Sequence, residues 1–103
     1  MSFLISHDND GNYVIGLELV FAPSEPQFGF FEDFVNRVES LDVKRITLDF
    51  TNCKYMDTRA ISLIMNMYRM TKEKEVGIQV VGADEEIKDL LYSIKLDEIL
   101  LIK

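Results

Sequence analysis

The sequence is poor in several kinds of residue, and each scarcity closes off a class of function. Cys53 is the one cysteine in 103 residues. That excludes an internal disulfide and fits a reducing compartment. It has no CxxC partner and no histidine at metal-ligand spacing, so it reads as a small half-buried residue. His7 is the one histidine, and a Ser-His or Cys-His catalytic pair would have to use it. It stands in the polar run H-D-N-D-G-N, with no activated Ser or Cys nearby. Basic residues are outnumbered 11 to 18, for a net charge of −7. This argues against a nucleic-acid surface and against docking on an anionic membrane. No apolar run approaches the roughly 20 residues of a membrane span. The opening M-S-F-L-I-S-H-D lacks the basic region and apolar core of a signal peptide. Nor is there a glycine-rich phosphate loop: V-G-A-D-E-E has one glycine and an acidic exit. The expectation is a cytoplasmic protein that needs no metal or cofactor, binds no nucleic acid, does not insert into a membrane and is not an enzyme.

What is present suits one globular domain spanning residues 1–103. Hydrophobic residues make up 48% and charged residues 28%, ordinary proportions. A chain of this length buries about 65% of its unfolded surface, enough for a core without staples. Phe3 to Ser6 and Tyr13 to Phe21 read as strands of a hairpin turned at Asp10-Gly11. A-P-S-E-P-Q breaks the second strand, and Ser24 with Gln27 resembles a capping box. Phe31, Phe34, Val35 and Val38 then form an amphipathic helical stripe. Ile46, Leu48 and Phe50 alternate with Thr47, Asp49 and Thr51, as in a half-buried strand. A helix over residues 57–75 follows, stopped near Gly77. Ile78 to Val81 reads as a strand. Asp84 caps a third helix that buries Ile87, Leu90, Leu91 and Ile94, and Leu100 to Ile102 closes the chain. The order β-β-α-β-α-β-α-β implies right-handed parallel crossovers. The expected fold is α/β, with a mixed, mostly parallel sheet packed with helices.

Chemistry concentrates in K-Y-M-D-T-R-A-I-S-L-I, Lys54 to Ile64. Asp57 is expected to cap the helix. Thr58 has two readings: a hydroxyl that happens to fall in the first turn, which is commonplace, or an exposed acceptor of phosphate in front of free backbone N–H groups. Arg59, Ser62, Asn66, Arg69 and Glu73 fall on one polar stripe of this helix. Met65 and Met70 flank the stripe and suit an adaptable rim, although core packing is the default for them and for Met56 and Met67. Phe28 or Phe30 is a candidate exposed contact. Asp8, Asp10 and Asp57 could imitate the acidic cluster of a receiver domain, but two of them lie in a hairpin turn, the wrong place for it.

I-T-L-D-F-T-N-C-K-Y-M-D-T-R-A-I resembles the signature of STAS domains, the sulfate-transporter and anti-sigma-factor-antagonist family. Leu48, Asp49, Phe50 and Thr51 match its first part; Met56, Asp57 and Thr58 match its second. D-L-L-Y-S-I-K-L-D-E-I is similar to the family's closing segment. For the stand-alone antagonists, the resemblance implies bacterial transcription control. It makes Thr58 the phospho-acceptor, and Asp57, Arg59, Ser62 and Asn66 the partner-binding residues. The implied partners are an anti-sigma factor that is a serine/threonine kinase, bound while Thr58 is unphosphorylated, and a resetting phosphatase. The alternative within the family is an unswitched subunit of a larger transport or signalling complex. The chain departs from the pattern in three ways. Thr58 replaces the commoner Ser, and Arg59 and Ala60 replace a small residue and a glycine. Where antagonists often carry an acid after the second strand, the simplest alignment puts Leu19, with Glu18 as a possible substitute.

Overall fold

The structure, a computed structural model, describes residues 3–17, 20–22 and 24–103. In chain order the elements are β1 (Phe3–His7), β2 (Asn12–Leu17), β3 (Val20–Phe21), α1 (Pro26–Arg37), β4 (Arg45–Asp49), β5 (Tyr55–Met56), α2 (Thr58–Thr71), β6 (Gly77–Val81), α3 (Glu85–Ser93) and β7 (Leu101–Ile102). Short 3₁₀ turns at Val38–Ser40, Lys72–Lys74 and Leu96–Glu98 follow the three helices.

Five strands form one sheet in the order β1-β2-β4-β6-β7, antiparallel only between β1 and β2. Each crossover steps one place in the same direction. Right-handed crossovers then put all three helices on one face of the sheet. Burial agrees. Ile15, Leu17, Ile46, Leu48, Ile78 and Val80 are buried on the helix side, whereas Val14, Arg45, Thr47, Gln79 and Leu101 on the other side are half-buried or exposed. On that open side Gln79 Nε2 donates to Thr47 Oγ1 across the strands at 2.8 Å. The molecule is accordingly two layers thick, 31 × 30 × 20 Å. The expected α/β class and mixed sheet are what is found.

Local chemistry explains where the elements start and stop. The β1–β2 turn is tied by Asp8, whose carboxylate accepts from the backbone N–H groups of Asp10 (2.8 Å) and Asn12 (3.0 Å) and from Asn12 Nδ2 (2.9 Å). The Asn12 side chain, then the backbone groups, hold the Asp8 carboxyl below its ordinary range. This turn lies at the start of β4, since Asn12 pairs with Arg45. Asp57 lies beyond the opposite ends of the strands, so Asp8, Asp10 and Asp57 form no receiver-like cluster.

Several expectations are corrected. The single strand over 13–21 is two strands: β2 ends at Leu17, and β3 leaves the main sheet to pair with β5, which the sequence did not announce. The Ser24–Gln27 capping box does not form. Glu25 is the α1 N-cap, with no side-chain cap bond, because the Gln27 amide turns inward (1% exposed) and donates to the Val20 carbonyl. The segment after α2 is ended by Glu75 in the left-handed conformation (φ 57°), not by Gly77, which opens β6. Ile94 is 41% exposed, because α3 stops at Ser93 and Lys95 (φ 63°) turns the chain away from the helical period. Cys53 is fully buried rather than half-buried.

Gly82, just after β6, has φ +72°, and a Cβ there would collide with the Thr51 side chain and lie 3.0 Å from Thr51 N. Gly82→Ala should therefore lower stability by about 2 kcal/mol, read as a fall in the urea midpoint at unchanged slope.

Candidate functional site

The site is assembled where the C-terminal ends of the central strands meet the start of α2. Asp49 ends β4 and folds the chain over itself: its Oδ1 accepts from Thr51 N at 3.0 Å and Thr51 Oγ1 at 2.6 Å. Cys53 N then bonds to Phe50 O at 3.0 Å, and Cys53 Sγ donates to Tyr55 O at 3.4 Å. β5 lies parallel to β3, with Val20 opposite Tyr55 and Phe21 opposite Met56. Asp57 N continues this ladder to Phe21 O at 3.0 Å. Three successive residues before α2 are thus fixed to the strand that precedes α1.

Asp57 is extended (φ −80°, ψ 155°) and caps α2, its Oδ1 accepting from Arg59 N at 2.7 Å. Its carbonyl takes the N–H groups of Ala60 and Ile61 at 3.0 and 3.2 Å. Thr58 is the first helical residue and is exposed. The Arg59 side chain bends back over the helix start, placing Nε 3.9 Å from Asp57 Oδ1. Ala60 is fully buried, so the methyl that replaces the family's glycine is part of the core. Arg59, by contrast, changes the surface.

The polar stripe of α2 faces outward, and part of it meets α1. A groove of about 340 Å³ runs between the two helices, lined by Phe28, Glu32, Arg59, Ser62, Leu63 and Asn66. It brings together three of the expected partner-binding residues, Arg59, Ser62 and Asn66. Asp57 and Thr58 stand at its end and are not in its wall. Glu32 and Leu63 were missed: Glu32 sits on the exposed side of a helix read for its apolar stripe, and Leu63 reads as ordinary core. Ser62 Oγ donates to Thr58 O at 3.3 Å, and Asn66 Oδ1 accepts from Arg69 Nη1 at 2.6 Å. Phe28 is half-buried and Phe30 is 62% exposed. Tyr55, two residues before Asp57, is 55% exposed. Met65 and Met70 are half-buried rims of the stripe, while Met56 and Met67 are core. His7 stacks on Tyr13, 4.9 Å between centroids, far from this site. Among the described residues no group of three or more His, Cys, Asp or Glu could hold a metal ion, and no helix is long and apolar enough to cross a membrane.

The sequence model of the STAS domain matches residues 16–103. The chain belongs to the STAS domain family. No curated protein sequence matches it. Solved structures agree on the fold. The anti-sigma factor antagonist SpoIIAA in its unphosphorylated form superimposes with a TM-score of 0.80 at 11% identity, over 99% of this chain and 87% of that one. Bacillus SpoIIAA in its phosphorylated form gives 0.75 at 11% identity, over 99% and 91%. An anti-sigma factor antagonist from Mycobacterium paratuberculosis gives 0.76 at 14%, over 98% and 83%. At such identities the likeness is one of fold.

In this STAS domain six of the seven signature residues have a visible structural job, Thr58 being the exception. Leu48, Phe50 and Met56 are core, Asp49 and Thr51 make the turn, and Asp57 caps. Glu18 and Leu19, where an acid was looked for, lie outside the described residues. The cap and the charge of Asp57 are separable. Asp57→Ala should cost about 1 kcal/mol, while Asp57→Asn, an equally good cap, should leave stability almost unchanged; urea denaturation checks both. Burial, and secondarily the Asp84 carboxylate, push the Cys53 thiol above its ordinary pKa. A raised pKa means that stability is intact below the thiol's unfolded value and is lost as pH rises past it. The urea midpoint of the wild type should therefore fall more steeply than that of Cys53→Ala above about pH 8.5.

Proposed function

We propose that this STAS domain is a protein-binding regulator of the anti-sigma factor antagonist type. In this reading it binds an anti-sigma factor that is also a serine/threonine kinase, and a phosphoryl group on Thr58 breaks the complex. The observation that carries it is the position of Thr58: an exposed hydroxyl on the first residue of α2, beside the Asp57 cap and at the mouth of the α1–α2 groove. Support also comes from the neighbours, since a protein of the same fold is known in unphosphorylated and phosphorylated forms.

The step would be a phosphoryl transfer. Thr58 Oγ1 forms a bond to the γ-phosphorus of a nucleoside triphosphate, the phosphoanhydride bond breaks, the hydroxyl proton passes to a base of the kinase, and the diphosphate leaves. A separate phosphatase would reverse the state by hydrolysis. The chain itself supplies a surface and an acceptor and carries out no catalysis. Its switch is electrostatic: a phosphate brings nearly two negative charges beside Asp57, and within a partly desolvated interface such like-charge crowding costs several kcal/mol.

A second reading, an unswitched subunit of a larger transport or signalling assembly, is favoured by the exposed ring of Tyr55, two residues before Asp57. Such surface suits a permanent neighbour.

Affinity capture from source-cell lysate, with mass spectrometry, separates the two. An ATP-binding serine/threonine kinase should be retained by the wild type and by Thr58→Ala, and retained at least about tenfold less by Thr58→Glu. Glu is well placed in a first helical turn, so that loss would not come from unfolding. A transporter or scaffold subunit held equally by all three would sink the switch.

A further inference from the structure

We infer that Arg59 receives the charge placed on Thr58 and transmits it to the α1–α2 groove. The inference rests on the reading of Thr58 as a phosphoryl acceptor and adds to it the residue through which the modification reshapes the binding surface. Consecutive helical residues point about 100° apart, so Arg59 would not ordinarily meet Thr58. Here its side chain already folds back across the first turn, with Nε 3.9 Å from Asp57 Oδ1 and 77% of the side chain exposed. That is a loose ion pair, beyond hydrogen-bond length and open to solvent at its Arg59 end, and pairs screened in this way hold weakly. The same arm is a wall of the groove, together with Glu32 of α1, above Phe28 and Leu63. The Asp57 carboxylate lies beside it at the helix start, and Glu32 lines the same groove from α1.

A phosphate on Thr58 would change the competition for this guanidinium. It offers three acceptor oxygens and nearly two charges, against one for either carboxylate. The planar fork of Arg matches phosphate with two parallel N–H···O bonds. Arg59 shifts from Asp57 to the phosphate, and the groove loses part of its wall. By linkage the effect is reciprocal: a partner that engages Arg59 in the groove withholds it from the phosphate, so binding and phosphorylation oppose each other. The usual small residue at this position could add repulsion alone. Arg59 adds a change of shape.

The test uses the 103-residue chain made by joining residues 1–52 to a synthetic 53–103 segment through the native Cys53, with phosphothreonine at position 58, for the wild type, Arg59→Lys and Arg59→Ala. Circular dichroism verifies folding, which an exposed side chain does not control. Phosphorus NMR then follows the second ionisation of the phosphate with pH. The expected result is an ionisation constant at least about threefold larger in the wild type than in Arg59→Ala, with Arg59→Lys between them. Phosphorylation should also move the Leu63 methyl and Phe28 ring resonances in the wild type, and much less in Arg59→Ala. Equal ionisation constants, or equal groove shifts, would overturn the role of Arg59 while leaving Thr58 as an acceptor. Failure to find phosphate on Thr58 in the source cells would overturn the underlying reading, whatever the titration gave.

Discussion

The geometry of this domain depends on how the start of α2 is held. A helix begins with backbone N–H groups that have no partner of their own, and an exposed start frays unless something fixes it. Here two devices act on one residue. The Asp57 backbone is bonded to Phe21, extending the two-residue β3–β5 ladder, and its carboxylate caps the Arg59 N–H. The ladder is secured from beneath by Gln27, whose buried amide reaches the Val20 carbonyl. Thr58 is thus an exposed residue on a fixed base, and the segment before α1 is tied to the segment before α2.

That tie explains why the candidate surface has two parts. The strand order makes every crossover step the same way, so α1 and α2 lie side by side on one face of the sheet and begin at the same rim. The linkage of β3 to β5 then sets the two helix starts relative to each other. The groove between the helices ends where Thr58 stands, and Arg59 belongs to both. Charge at the helix start and shape along the groove are consequently not independent quantities in this chain.

Much of this was legible beforehand because it depends on local chemistry. The polar stripe Arg59, Ser62, Asn66 and Arg69 follows from a 3.6-residue period, and all four are exposed on α2; Glu73, expected on the same stripe, lies past the helix in the 3₁₀ turn because α2 ends at Thr71. Asp57 and Asp84 were expected to be caps, and both are. Signature residues at 48–51 and 56–58 were enough to identify the family. Other features were hidden because distant residues decided them. Gln27 looked like half of a capping box, but an acceptor on β3 drew its amide inward. Nothing in Val20–Phe21 or Tyr55–Met56 taken separately indicates that the two would pair. Cys53 looked like a small half-buried residue, and only the packing of the turn that leads into β5 buries it completely.

The amino-acid sequence by itself determined the order of the helices and main-sheet strands, most of the buried faces, the Asp57 and Asp84 caps and the family, because each follows from periodicity, side-chain hydrogen bonding or a short motif. Only the tertiary structure decided that β3 leaves the main sheet, that Glu32 and Leu63 join Arg59, Ser62 and Asn66 in one groove, and that the Arg59 side chain lies between that groove and Thr58. Those are relations between segments separated along the chain. They exist once the sheet has brought α1 and α2 together, and no local pattern encodes a distance across two helices.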